Sequence, residues 1–145
     1  MTADEPDAIE TEHLQIGEVA AATELSIKTI RHYDEVGLVA PSARSAGGFR
    51  LYTRTDIDRL LAIRRMKPLG FTLEDMRALL DAQDALELPD TSERERDAAL
   101  TALQDFHTRA EHACHKLERQ LAYARELTSQ LAHQLGVERA TGSGR

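Results

Sequence analysis

Residues 16–37 read IGEVAAATELSIKTIRHYDEVG, and this stretch decides the fold. Its first part predicts a short helix over about 17–23, with Ile16, Val19 and Ala20 facing inward. Ser26 is a good N-cap, because its hydroxyl can accept an N–H that the first helical turn leaves unpaired. A second helix is expected to start there and to run to Val36. Gly37 stops it, since glycine enters the left-handed region without a Cβ clash. Ile27, Ile30, Tyr33 and Val36 recur at helical spacing and give this helix an apolar side. Only about three residues separate the two helices, which is helix-turn-helix spacing.

Outward from this pair, residues 40–53 read APSARSAGGFRLYT. Pro41 and the Gly47-Gly48 pair punctuate the stretch, and Phe49 to Tyr52 alternate with the period of a strand. The glycine pair suits a hairpin turn, so the segment reads as a small two-stranded wing. Thr53 with Asp56 has the spacing of a capping box and opens a third helix, with Ile57, Leu60, Leu61 and Met66 as its apolar contacts. Pro68 and Gly70 end that helix. Thr72 with Asp75 repeats the signal before a fourth helix that buries Leu73, Met76, Leu79 and Leu80. Residues 83–91 read as a linker, and Ser92 with Glu95 opens the last helix, over 92–136.

That last helix carries apolar or small residues at alternating steps of three and four. They run Leu100, Leu103, His107, Ala110, Cys114, Leu117, and on through Leu121, Ala124, Thr128, Leu131 and Leu135. This is a heptad seam of roughly 36 residues, about 54 Å at 1.5 Å per residue. A head of about 75 residues cannot cover such a stripe, so the seam predicts a dimer; the alternative is a helix folded back on its own head. Leu103, Ala110, Cys114, Leu117, Leu121, Ala124 and Leu131 are the expected dimer contacts. Spacing leaves the orientation of the two helices open.

Composition agrees with helices bearing one apolar stripe: 41% hydrophobic, 30% charged, 4% aromatic and no Trp in 145 residues. No apolar run approaches the ~18 residues of a membrane span. Residues 1–13 read as a disordered acidic tail without the basic and apolar parts of a secretory signal, and 137–145 as a flexible tail. A single cysteine excludes an intrachain disulfide, and a cytoplasmic protein is expected. The net charge of −7 at first argues against nucleic acid. Residues 16–69, however, hold nine bases against six acids, and local charge decides where phosphates bind.

The second helix presents Lys28, Thr29, Arg31 and His32 away from Ile27 and Ile30. Lysine and arginine can reach phosphates or guanine edges, and threonine a phosphate or a thymine methyl. The wing offers Arg44, Arg50 and Tyr52 to a neighbouring phosphate strand. Tyr33 has two compatible readings, a core aromatic or a phosphate donor at its tip.

IGEVA, TIRHYDEVGLV, GGFRLYT and LGFTLEDMRALL stand in this order within residues 14–80, and the chain there resembles the MerR family of bacterial transcription regulators. The resemblance implies a mostly α protein: a winged helix-turn-helix head over 14–82, followed by a long helix that forms an antiparallel coiled-coil dimer. It implies that Lys28, Arg31 and Tyr33 contact promoter DNA from the recognition helix. Arg44, Arg50 and Tyr52 would do so from the wing, with Phe49 as its support. It further implies a regulator that bends and untwists a long promoter spacer for RNA polymerase.

The family's metal sensors carry cysteines at the start of the coil and after it, and this chain has none near 80–92 or beyond 135. No metal site and no cofactor are expected, and with only a short stretch after the coil no drug-binding domain is expected either. Two other readings stay open. One is a coiled-coil adaptor or anti-activator that binds protein. The other is a thiol- or metal-responsive sensor using Cys114 with His107, His112 and His115. No nucleophile triad, phosphate loop or carboxylate pair suggests an enzyme.

Overall fold

A computed structural model describes residues 12–137. Along them run β1 (Leu14–Gln15), α1 (Ile16–Thr23), α2 (Ile27–Glu35), β2 (Ala43–Arg44) and β3 (Arg50–Tyr52). Then come α3 (Arg54–Met66), a 3-10 turn (Lys67–Leu69), α4 (Leu73–Glu87) and α5 (Glu93–Leu135). The protein is mostly helical, with a small sheet and a long last helix. It divides into two compact units, one up to Leu103 and one from Gln104 onward. All but Glu12 and His13 of the expected acidic tail, and all but Val137 of the expected final tail, lie outside the described residues.

Local chemistry sets the helix ends. Ser26 Oγ accepts from the Thr29 N–H at 3.0 Å and starts α2. At the other end Gly37 has φ 72°. Its N–H donates to Asp34 O at 3.0 Å, and the Leu38 N–H reaches back to Tyr33 O at 2.8 Å. This pair of bonds is a Schellman close, and the positive φ is what it requires of Gly37. Thr53 with Asp56 and Thr72 with Asp75 both form the expected capping boxes. A further box, Gln15 with Glu18, opens α1 and escaped the sequence reading, because glutamine is not among the usual cap residues.

The core of the first unit gathers Val19 of α1, Ile30 and Tyr33 of α2, Tyr52 of β3, and Leu60 and Ile63 of α3. Each large aliphatic side chain buried in this way contributes about 1.5–3 kcal/mol. Ile27, at the first turn of α2, is partly exposed, as is Leu73 at the start of α4.

Two expectations need correction. The expected hairpin forms, β2 against β3, but the sheet has a third strand, because β1 pairs with the other edge of β3. The strand order is β1-β3-β2, all antiparallel, with Ala43 opposite Leu51, Arg44 opposite Arg50, and Leu14 opposite Tyr52. β1 has only two residues, too few to show any alternation, so periodicity could not reveal it. The segment 83–91 is also not all linker. α4 continues to Glu87, and the break is confined to the residues between it and Glu93. Leu88-Pro89 marks the stop, since proline disfavours helix in the residue before it.

Candidate nucleic-acid interface

α2 is rooted by Ile30 and Tyr33, both buried, and turns Lys28, Arg31 and His32 outward, all exposed. Thr29 is half-buried, and its hydroxyl accepts from Ser26 Oγ at 2.8 Å, so part of its bonding capacity serves the helix start. Tyr33 is 3% exposed. Its remaining surface lines a groove of about 410 Å³ together with Lys28, His32, Lys67 and Phe71. The ring is first a core residue of the head.

The wing lies against α2 through charge. Arg50 Nε donates to Asp34 Oδ2 at 2.7 Å, and Arg44 Nη2 donates to the same oxygen at 3.3 Å. Arg44 Nη1 also donates to the Gly48 carbonyl at 3.3 Å, inside the hairpin turn. The hydrogen bond to Asp34 raises the Arg50 pKa above its ordinary value. Phe49 is 70% exposed at this turn. Its ring lies over Gly47, where an added Cβ would come within 3.0 Å of it. Any larger residue at Gly47 would push the ring aside. At the base of the wing, Asp56 accepts from Ser42 Oγ at 2.6 Å, Ser42 N at 3.2 Å and Thr53 N at 2.9 Å. One carboxylate thus ties the hairpin to the start of α3.

Tyr52 corrects a sequence expectation. It is fully buried and has no surface to offer a phosphate. Arg50 and Tyr52 are two apart and share a strand face, the one turned toward Asp34 of α2. That face runs from the rim at Arg50 into the core at Tyr52. Burial pushes the Tyr52 phenol above its usual 10.0, and the Asp34 charge adds to the rise. Its hydroxyl has no hydrogen-bond partner among the described residues.

Three residues that sequence reading passed over hold the head together. Asp34 is the first. Arg77 of α4 donates to Val36 O and Gly37 O, each at 2.9 Å, and so satisfies carbonyls at the end of α2. Arg64 of α3 donates to Thr23 O at 2.7 Å and closes the end of α1 in the same way. Arg64 is therefore engaged within the head, whereas Arg65 and Lys67 beside it are exposed. Cations at helix C-termini have a general signal, but these partners lie about forty residues away in the chain.

On α5, Leu117, Leu121, Leu131 and Leu135 are exposed, as are Cys114 and Ala124. Leu103 and Ala110 are half-buried. Thr128, a polar residue on the seam, donates its hydroxyl to Ala124 O at 2.9 Å, which meets its polar need within the helix. Phe106 is buried although it lies beside the seam, and the Arg109 guanidinium sits 5.1 Å from its ring centre. His107 and His115 pair with Glu111 and Glu118 on their own helix. Among the described residues, no three His, Cys, Asp or Glu side chains converge as a metal site would require.

Residues 14–83 match the family described as "MerR HTH family regulatory protein". The regulator HmrR of Sinorhizobium medicae is 33% identical over 120 residues, covering 83% of this chain and 73% of that protein. The chain belongs to the MerR family of transcriptional regulators. The nodulation protein NolA of a Bradyrhizobium strain is 42% identical over 72 residues, half of this chain but 30% of its own length. The chain thus spans about a third of the first curated relatives it matches. A solved structure of HiNmlR, a MerR family regulator lacking the sensor domain and bound to promoter DNA, has the same fold. Its TM-score is 0.62 at 21% identity, over 89% of this chain and 99% of that one. The MerR family is one of regulators, not enzymes, and the residues matched to it here make up most of the head from β1 to α4. Among the described residues no helix is long and apolar enough to cross a membrane.

Proposed function

We propose that this MerR-family chain is a dimeric, sequence-specific regulator that grips promoter DNA with α2 and the wing. The observation that carries this reading is the pairing of Arg44 and Arg50 with Asp34. It sets two wing arginines beside the helix that exposes Lys28 and Arg31. Arg31 stands three residues before Asp34, on the adjoining part of the helix surface. Lys28 and Arg31 enter the major groove, Thr29 supports them, and Arg44 and Arg50 clamp the adjoining phosphate strand. Tyr33 contributes at most its groove-lining edge.

The second copy covers the exposed leucines of α5. Antiparallel pairing about a point near residue 119 makes the seam complementary to itself. Leu117 then faces Leu121, Cys114 faces Ala124, Ala110 faces Thr128, and Leu103 faces Leu135. Two heads held apart in this way can bend and untwist the spacer between them. The deformation costs several kcal/mol, and many phosphate contacts offset it. A protein that works at a promoter acts in the cytoplasm, with RNA polymerase as its functional partner.

The test is binding of the purified protein to a duplex selected from a random-sequence library, titrated with salt. A selected inverted repeat and a steep fall of affinity with salt are expected. A dimer that enriches no sequence would overturn the reading in favour of a protein-binding adaptor.

A further inference from the structure

The Asp34 carboxylate poses a problem for a surface that meets phosphates. A negative charge there repels the ligand, yet Asp34 sits on the recognition helix and reaches the wing. Its side chain is only 14% exposed, and a single oxygen, Oδ2, takes donors from both Arg50 and Arg44. The cluster of one carboxylate and two guanidiniums keeps an excess positive charge. Arg50 uses its Nε toward Asp34, and no other acceptor for it is found among the described residues. Its two terminal nitrogens are thus left for another ligand, since guanidinium carries five N–H donors in a fixed plane. Arg44 is anchored at both ends of its fork, by Asp34 and by Gly48 O, and each nitrogen keeps a second hydrogen.

We propose that Asp34 is a positioning residue for DNA binding, which holds Arg44 and Arg50 ready on the phosphate-facing side of the wing. This rests on the DNA-binding reading above. Two long, flexible side chains fixed before the ligand arrives lose less freedom on binding. The same bonds fix the wing against α2, so a shift of one carries the other. The carboxylate thus opposes DNA as a charge and favours it as a clamp, and the sign of a single substitution separates the two effects.

Asp34→Asn removes the negative charge and weakens both arginine bonds. If Asp34 only repels phosphate, DNA binding tightens. If it positions the arginines, Kd rises roughly tenfold, as for neighbouring residues acting through one another. The slope of log affinity against log salt also falls, by roughly 0.9 for each phosphate that the protein no longer neutralises. The assay is fluorescence anisotropy with a labelled duplex that the wild-type protein itself selected from a random library. In an Arg44→Ala/Arg50→Ala background, Asp34→Asn is expected to cause no further loss. A second loss of the same size there overturns the proposal, as does unchanged or tighter binding by the single variant. Arg50→Lys provides an arm that leaves Asp34 in place. One ammonium cannot both hold Asp34 and reach outward, so weaker binding is expected, and full affinity overturns the proposal. Failure of the wild-type protein to bind any duplex sinks the DNA reading itself, which separates that result from failure of the clamp alone.

Discussion

Tyr52→Phe tests whether Tyr52 serves the core or the DNA. The side chain is fully buried, and its hydroxyl lacks a partner among the described residues. A buried hydroxyl without a hydrogen bond costs about 1–3 kcal/mol of desolvation, which phenylalanine avoids. Removal of one oxygen leaves a void of roughly 15 Å³, which costs about 0.4 kcal/mol at ~24 cal/mol per Å³. The net expectation is a gain of about 1–2 kcal/mol, or a rise in Tm of about 3–8 °C at roughly 3–4 °C per kcal/mol for a chain of this length. DNA affinity should not change. The variant also has a pH signature. The folded-state pKa of Tyr52 is raised above 10.0, so the folded protein holds the phenolic proton more tightly than the unfolded chain. The stability linked to this proton is whole below about pH 10 and declines as pH rises through the folded value. Tyr52→Phe should lose that part of the alkaline decline. Differential scanning calorimetry at about pH 7 and about pH 10.5, on either side of the ordinary phenol value, measures both effects. A lower Tm at neutral pH would show that the hydroxyl is well paired and would refute the reasoning. An unchanged Tm with weakened DNA binding would return Tyr52 to the phosphate contacts.

Three further outcomes are expected. Arg31→Ala should weaken binding to the selected duplex by about 1–3 kcal/mol, as read by anisotropy, and full affinity would remove Arg31 from the contacts. Leu117→Asp places a charge on the exposed seam of α5 and should abolish the dimer and the DNA affinity together; sedimentation showing an intact dimer would reject the seam. Ala124→Cys sets a second thiol opposite Cys114 of the other copy in the antiparallel register proposed above, so mild oxidation should yield a disulfide-linked dimer. The parent protein should stay uncrosslinked, because its two Cys114 residues then lie about ten residues apart along the seam, roughly 15 Å. Crosslinking through Cys114 alone would require another register.

Much of the head is legible in the chain, because its signals are local. Ser26, Gly37, Thr53 with Asp56, and Thr72 with Asp75 each act within three or four residues, and each appears where its chemistry places it. The apolar period roots α2 at Ile30 and Tyr33 for the same reason. Lys28 and Arg31 were legible as outward residues because they occupy the opposite part of that period.

Other features depend on residues far apart in sequence. β1 exists because β3 offers it an edge, and two residues carry no periodicity of their own. Tyr52 alternates like a surface residue, yet becomes core once β1 closes over β3 and α2 packs against the same face. Nothing local in the sequence marks Arg64 and Arg77, and only the fold brings them to the open carbonyls of α1 and α2. Asp34 reads as an ordinary helix acid until Arg50, sixteen residues on, meets it at 2.7 Å. By itself the sequence determined the helices, their caps and the face each would bury, since those follow from hydrogen bonds and side-chain spacing within a turn. Only the tertiary structure decided which charged groups face outward and which close the fold, because a charge takes its role from partners that distant segments bring to it.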